Sequence, residues 1–190
     1  MHIHSGLPWL VPVAGLTLAA CAGGPVVSSH TIEQAYDSQQ LGYVTQGGEQ
    51  IPVIVGGDPF GPDRAALNRA VLGAMQGSNF GPAVEFAVDP ARPARQNSRV
   101  VLAFNPKGTI DPGALCGGMP DGEAPAGGAV RISAAYCEGS FALTRANVRA
   151  ANVDGPQSPA FRAMMVQLTQ ALFPPRNPHR DETNGTCSNC

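Results

Sequence analysis

The sequence predicts an α+β domain, a two-layer sandwich in which a mainly antiparallel sheet carries two helices on one face. Two segments, residues 62–76 and 158–173, place apolar side chains at helical spacing between recognisable start and stop signals. The other apolar runs are short, alternate or β-branched, and end at Gly- and Pro-bearing turns. Strands joined by such turns pair as antiparallel neighbours and leave the helices to cover one side.

The expected domain covers residues 41–173. Ahead of it, Ile32 to Gln40 reads either as a short helix capped by Ser29 or as a loop. Leu41–Gln46 and Glu49–Val55 flank Gly47-Gly48, a hairpin signal because both turn residues accept positive φ. Gly56-Gly57-Asp58-Pro59 ends the second strand. Gly57 to Asp63 is rich in glycine like a phosphate loop, but it lacks the Lys-Ser/Thr of a Walker loop and the spacing of a dinucleotide fingerprint. It reads as a strand-to-helix turn. Pro62 stands where a first helical residue belongs, Leu67, Ala70, Val71, Ala74 and Met75 form the stripe, and Gly77 stops it.

Val84, Phe86 and Val88 alternate, so 83–88 reads as a strand; 89–97 is a loop, and Arg99 leads into Val100–Phe104, an apolar run suited to a central strand. Asn105 to Gly128 is a long Gly/Pro-rich excursion, a length that goes with function or mobility. Ala129–Tyr136 and Phe141–Val148 are strands around a turn at Cys137–Ser140. Ser158 caps the last helix, Pro159 takes its first turn, and Phe161, Met164, Met165, Leu168 and Leu172 are its stripe. Pro174-Pro175 stops it, and 174–190 is expected to be a flexible polar tail.

The 23 Gly and 18 Pro are about a fifth of the 190 residues, which means many turns without the composition of a disordered chain. Twelve basic and 14 acidic side chains leave a net charge of −2, so no global field favours nucleic acid or an anionic membrane.

Leu7 to Ala20 carries no charge, is too short to span a bilayer, and is interrupted by Pro8 and Pro12, as in the apolar core of a signal peptide. Leu18-Ala19-Ala20-Cys21 at its end resembles the lipobox of bacterial lipoproteins. The resemblance covers the leader only, and Met1 to Gly6 departs from it in lacking Lys and Arg. It implies that 1–20 is a signal peptide and that Cys21 is the first mature residue and carries lipid. Residues 21–40 then form a lipidated N-terminus and tether, and Ala22, in place of Asp, implies the outer membrane, facing the periplasm. An ordinary signal peptide cut nearby would instead leave Cys21 a free thiol. The membrane is thus the first expected partner.

Five Cys are present, and assigning Cys21 to lipid leaves Cys116, Cys137, Cys187 and Cys190, an even set that reads as disulfides in an exported chain. Cys116–Cys137 would pin the long excursion to a strand end. Cys187-Ser188-Asn189-Cys190 reads as a local disulfide or a link to another chain. A redox or zinc role lacks the flanking elements and the extra ligands.

Arg92, Arg95 and Arg99 are the densest cationic cluster, open to a phosphate or carboxylate of an envelope glycolipid, peptidoglycan or partner protein, or else a solvated loop. Arg145 and Arg149, four apart on one strand, share a face that reads as solvated in preference to an anion site. Once the leader is removed, only His30 and His179 could serve Cys116 or Cys137 as a base, and Glu138-Gly139-Ser140-Phe141 lacks the glycines of a nucleophile elbow. No catalytic, metal or cofactor residue is therefore assigned. The element order is similar to small periplasmic lipoprotein domains that assist transporters or envelope assembly. A non-enzymatic binding or assembly role leads; the alternatives are an envelope hydrolase using Asp111 or Glu123 in the 105–128 loop, or a redox role for the C-terminal cysteines.

Overall fold

The computed structural model describes residues 24–120, 122 and 128–181. It has the α+β fold, with strands β1 (Val26–Ile32), β2 (Ile51–Gly56), β3 (Phe86–Ala87), β4 (Ser98–Phe104), β5 (Val130–Glu138) and β6 (Phe141–Ala150). They form one mixed six-stranded sheet in the order β1-β6-β5-β4-β2-β3. The pairs β1/β6, β5/β6 and β4/β5 are antiparallel, and β2 is parallel to both β3 and β4. The helices are α1 (Gln40–Val44), α2 (Arg64–Met75), α3 (Pro159–Leu172) and α4 (Pro178–Asp181). Parallel neighbours need a crossover, and α2 supplies it between β2 and β3.

Both long helices start where their side chains satisfy free backbone N–H groups. Asp63 Oδ1 accepts from Ala66 N (2.9 Å), so Pro62 precedes the cap rather than opening the helix. Ser158 Oγ accepts from Phe161 N (3.2 Å), with Pro159 in the first turn as expected. The buried residues of both helices share one apolar cluster with Val53, Val100, Leu102, Phe104, Ile132 and Val148 of the sheet. The Phe161 ring anchors it, 5.5 Å from Phe60 and 6.0 Å from Phe104. Successive β4 side chains alternate in direction, so Val101 and Ala103 face the other way. There they join Ala135, Cys137, Leu115 and Cys116 in a second, small cluster. The Cys116–Cys137 disulfide lies in it, with a Cα–Cα distance of 5.7 Å, and clamps the 3₁₀ turn Pro112–Cys116 onto β5.

Four expectations change. Leu41–Gln46 is not a strand: Leu41 and Val44 are three apart and both buried, which suits one turn of helix, and Thr45 Oγ1 donates to the Leu41 carbonyl (2.8 Å). No hairpin forms around Gly47-Gly48. The run 83–88 contributes only the two-residue β3. Residues 26–32, expected within a tether, are β1, because the otherwise free edge of β6 accepts their backbone from Val26↔Arg149 to Ile32↔Thr144. Residues 174–181, expected in the tail, fold back. Tyr36 donates its hydroxyl to the Pro174 carbonyl (2.9 Å), and Asn177 Nδ2 reaches the carbonyls of Glu33, Gln34 and Tyr36. Residues 1–20, Cys21, Glu123, Cys187 and Cys190 lie outside the described residues.

Candidate functional site

The arginines that are dense along the chain have partners within the fold. Glu49, its side chain only 12 % exposed, accepts from Gly47 N (2.6 Å) and Arg95 Nη2 (3.2 Å) and lies 3.9 Å from Arg92 Nη2. Its own backbone N–H and that of Gly47, then Arg95, hold its carboxyl below the usual range. Arg95 also sits 5.8 Å from the centre of the Tyr43 ring. Arg99 donates to the carbonyls of Asn97 (3.1 Å) and Cys116 (2.7 Å), so it buckles the 3₁₀ turn to β4. Arg95 and Arg99 therefore spend donors on structure, while Arg92 only approaches Glu49 and stays exposed.

The acid proposed for hydrolysis is similarly engaged. Asp111 caps the 3₁₀ turn by accepting from Gly113 N (2.9 Å) and meets Arg145 Nη1 (3.3 Å). Glu33 pairs with the other terminal nitrogen of Arg145. The three side chains line an open hollow of about 460 Å³ beside Phe141, with the guanidinium serving both carboxylates. Among the described residues no group of His, Cys, Asp and Glu gathers that could hold a metal ion. Cys116 and Cys137 are bonded to each other and offer no thiol. Burial pushes the Tyr136 phenol up to about 12 and that of Tyr36 higher, so neither exchanges protons at neutral pH.

A different pair of arginines converges. Arg131 on β5 and Arg149 on β6 are direct cross-strand partners, both exposed, on the sheet face away from the helices. Arg145, Asn147 and Arg149 alternate along β6 and share that face. Between the arginines and the loop after β4 lies a hollow of about 190 Å³, walled also by Ser28, Thr109, Ser133 and Asn147. Its floor is organised: Ser133 Oγ donates to Asn147 Oδ1 (2.6 Å), and Asn147 Nδ2 donates to Ser29 Oγ (2.8 Å). Arg131 Nη2 donates to the Pro106 carbonyl (3.1 Å), and its backbone N–H to Asn105 Oδ1 (2.7 Å). Neither arginine makes an ion pair among the described residues, nor does the exposed Lys107, which lies between wall residues Pro106 and Gly108.

Like charges directly opposite each other on a sheet are destabilising by roughly 0.2–1 kcal/mol. Here two guanidiniums bear that repulsion over a hollow of mixed polar and apolar lining, and a bound anion would relieve it. The linear sequence hides the pair, which is 18 positions apart. The signal that finds it is the register of the β5–β6 hairpin.

Comparison of the chain with protein-family models, with characterised proteins and with solved structures finds no match.

Proposed function

We propose that this chain is a lipid-anchored, non-enzymatic binding domain of the bacterial envelope, tethered at Cys21 and facing the periplasm from the outer membrane, with an accessory or assembly role. The observation that carries this reading is the buried Cys116–Cys137 disulfide. A bridge of this kind persists in oxidising compartments, the destination that Leu18-Ala19-Ala20-Cys21 also addresses. The binding role is supported by the Arg131/Arg149 hollow, whose arginines make no ion pair among the described residues, while Asp111 and Glu33 are committed to Arg145.

The test is to recover the mature protein from the membrane of its own cells and to weigh its N-terminal peptide. The expected peptide begins at Cys21 and carries the mass of acyl chains. A peptide beginning at Met1, or an unmodified Cys21, would refute the anchor. Crosslinking in intact cells should then retain an envelope component, and loss of that component in an Arg131→Gln/Arg149→Gln chain would tie it to the hollow.

A further inference from the structure

We infer that the Arg131/Arg149 hollow takes the phosphate of an anionic lipid headgroup, presented by the same membrane that holds the chain. The argument is one of placement. Val26, the first residue of β1, pairs with Arg149, and Arg149 pairs with Arg131. The three residues form one row across the end of the sheet. At about 5 Å per strand, the two arginines lie roughly 5 and 10 Å from the Val26 backbone. Cys21 precedes Val26 by 26 − 21 = 5 residues. An extended chain covers at most about 3.6 Å per residue, so a lipid on Cys21 would keep this row within about 18 Å of the bilayer surface. Lys107, beside the hollow wall, is exposed at the same end, because Asn105 N donates to the Arg131 carbonyl (2.8 Å) and brings the end of β4 into the row.

The chemistry of the hollow suits a phosphate diester. Two guanidiniums offer forked donors to its oxygens, and Ser28, Thr109 and Asn147 share the remaining wall with Ile110, Ile132 and Val148, which suit the apolar part of a lipid. Among the described residues no carboxylate lines it. The positive cluster is local, so it can meet an anionic surface although the chain as a whole carries −2.

The orientation rests on the lipid-anchor reading, but the experiment does not. The full chain carrying Cys21→Ser, which cannot be acylated there, is mixed with phosphatidylcholine vesicles containing either no phosphatidylglycerol or about 30 mol % of it. The expected result is enrichment on the anionic vesicles. Each arginine near a charged bilayer is worth about a fivefold change in partitioning, so Arg131→Gln/Arg149→Gln should lose about 25-fold. Arg92→Gln/Arg95→Gln removes the same charge elsewhere and should keep most of the binding. Circular dichroism of both double variants checks that the fold is retained. Equal loss in the two double variants, or no preference for anionic vesicles, overturns the proposal. A second arm titrates the same chain with inorganic phosphate. Saturation at the arginines without vesicle preference would make the hollow a site for soluble phosphate and would also overturn it. Because the tested chain carries no lipid at position 21, failure here leaves acylation of Cys21 to its own mass measurement.

Discussion

On one side of β4, Val100, Leu102 and Phe104 meet the stripes of two helices; on the other, Val101 and Ala103 meet a single 3₁₀ turn closed by a disulfide. The helix side is held by area. Phe161, Met164, Met165, Leu168 and Leu172 are each fully buried, at about 1.5–3 kcal/mol per large side chain. The opposite side buries Leu115 and little else that is large, while each ordered residue of the turn costs about 1–2 kcal/mol of backbone entropy. The Cys116–Cys137 bridge and the Arg99 bond to the Cys116 carbonyl make up the difference there. One sheet thus has a face that holds itself and a face that is tied down at one end and left polar at the other. At that second end sit Arg131 and Arg149, which make no ion pair among the described residues.

Truncation on the self-sufficient side should have the largest effect. Phe161→Ala removes a ring packed on Phe60 and Phe104 and should cost about 3–5 kcal/mol, read from the shift in urea midpoint. A loss near 1 kcal/mol would show that this cluster does not carry the fold. Next comes the bridge. Replacing both Cys116 and Cys137 by Ala reopens a loop of 21 positions and should cost about 3 kcal/mol. Hydrogen exchange should quicken around 112–116 before it does in α3; simultaneous loosening of α3 would merge the two faces into one cooperative unit.

On the polar end the sign reverses. Arg149→Thr relieves the opposition to Arg131 and should stabilise the domain by roughly 0.2–1 kcal/mol in thermal unfolding. A destabilised variant would mean that the pair is not in conflict in the free protein. The smallest effect concerns the matched arginines. Glu49 has its carboxyl held below its ordinary 4.5 in the folded state, so its contribution is present above that value and is lost as the pH falls through the folded one. Glu49→Gln should therefore flatten the acid limb of stability below pH 4.5, and an unchanged limb would assign it to other carboxylates.

What was legible in the sequence follows this division. The Ser158-Pro159 start, the two helical stripes, the apolar β4 and the Cys116–Cys137 pair are signals carried by neighbouring residues or by the four cysteines that remain once Cys21 is set aside. The errors arise from distant partners. β1 reads as a tether because its polar Ser28, Ser29 and His30 gain strand structure only from β6, and 174–177 reads as loose tail because Asn177 finds its carbonyls some 140 positions upstream. The arginine pair depends on a finer detail. Near the turn Glu138 faces Phe141, a register that extrapolates to Arg131 opposite Val148. A bulge between Tyr136 and Cys137 shifts the ladder by one residue and sets Arg131 against Arg149 instead. Without that shift, charged and apolar side chains would face each other across the hairpin. Local pattern alone does not reveal a one-residue bulge.

β1 has a consequence for the order of assembly. It is the first of the described strands to be synthesised, yet its partner β6 lies about 119 positions later, and the clasp made by Asn177 closes over 144. A chain emerging from its N-terminus therefore carries an unpaired strand until the β5–β6 hairpin has followed it. During that interval β1 itself is an open template for any extended chain, including β6 of a second copy. The strand that borders the sheet is thus the one that waits longest for its partner.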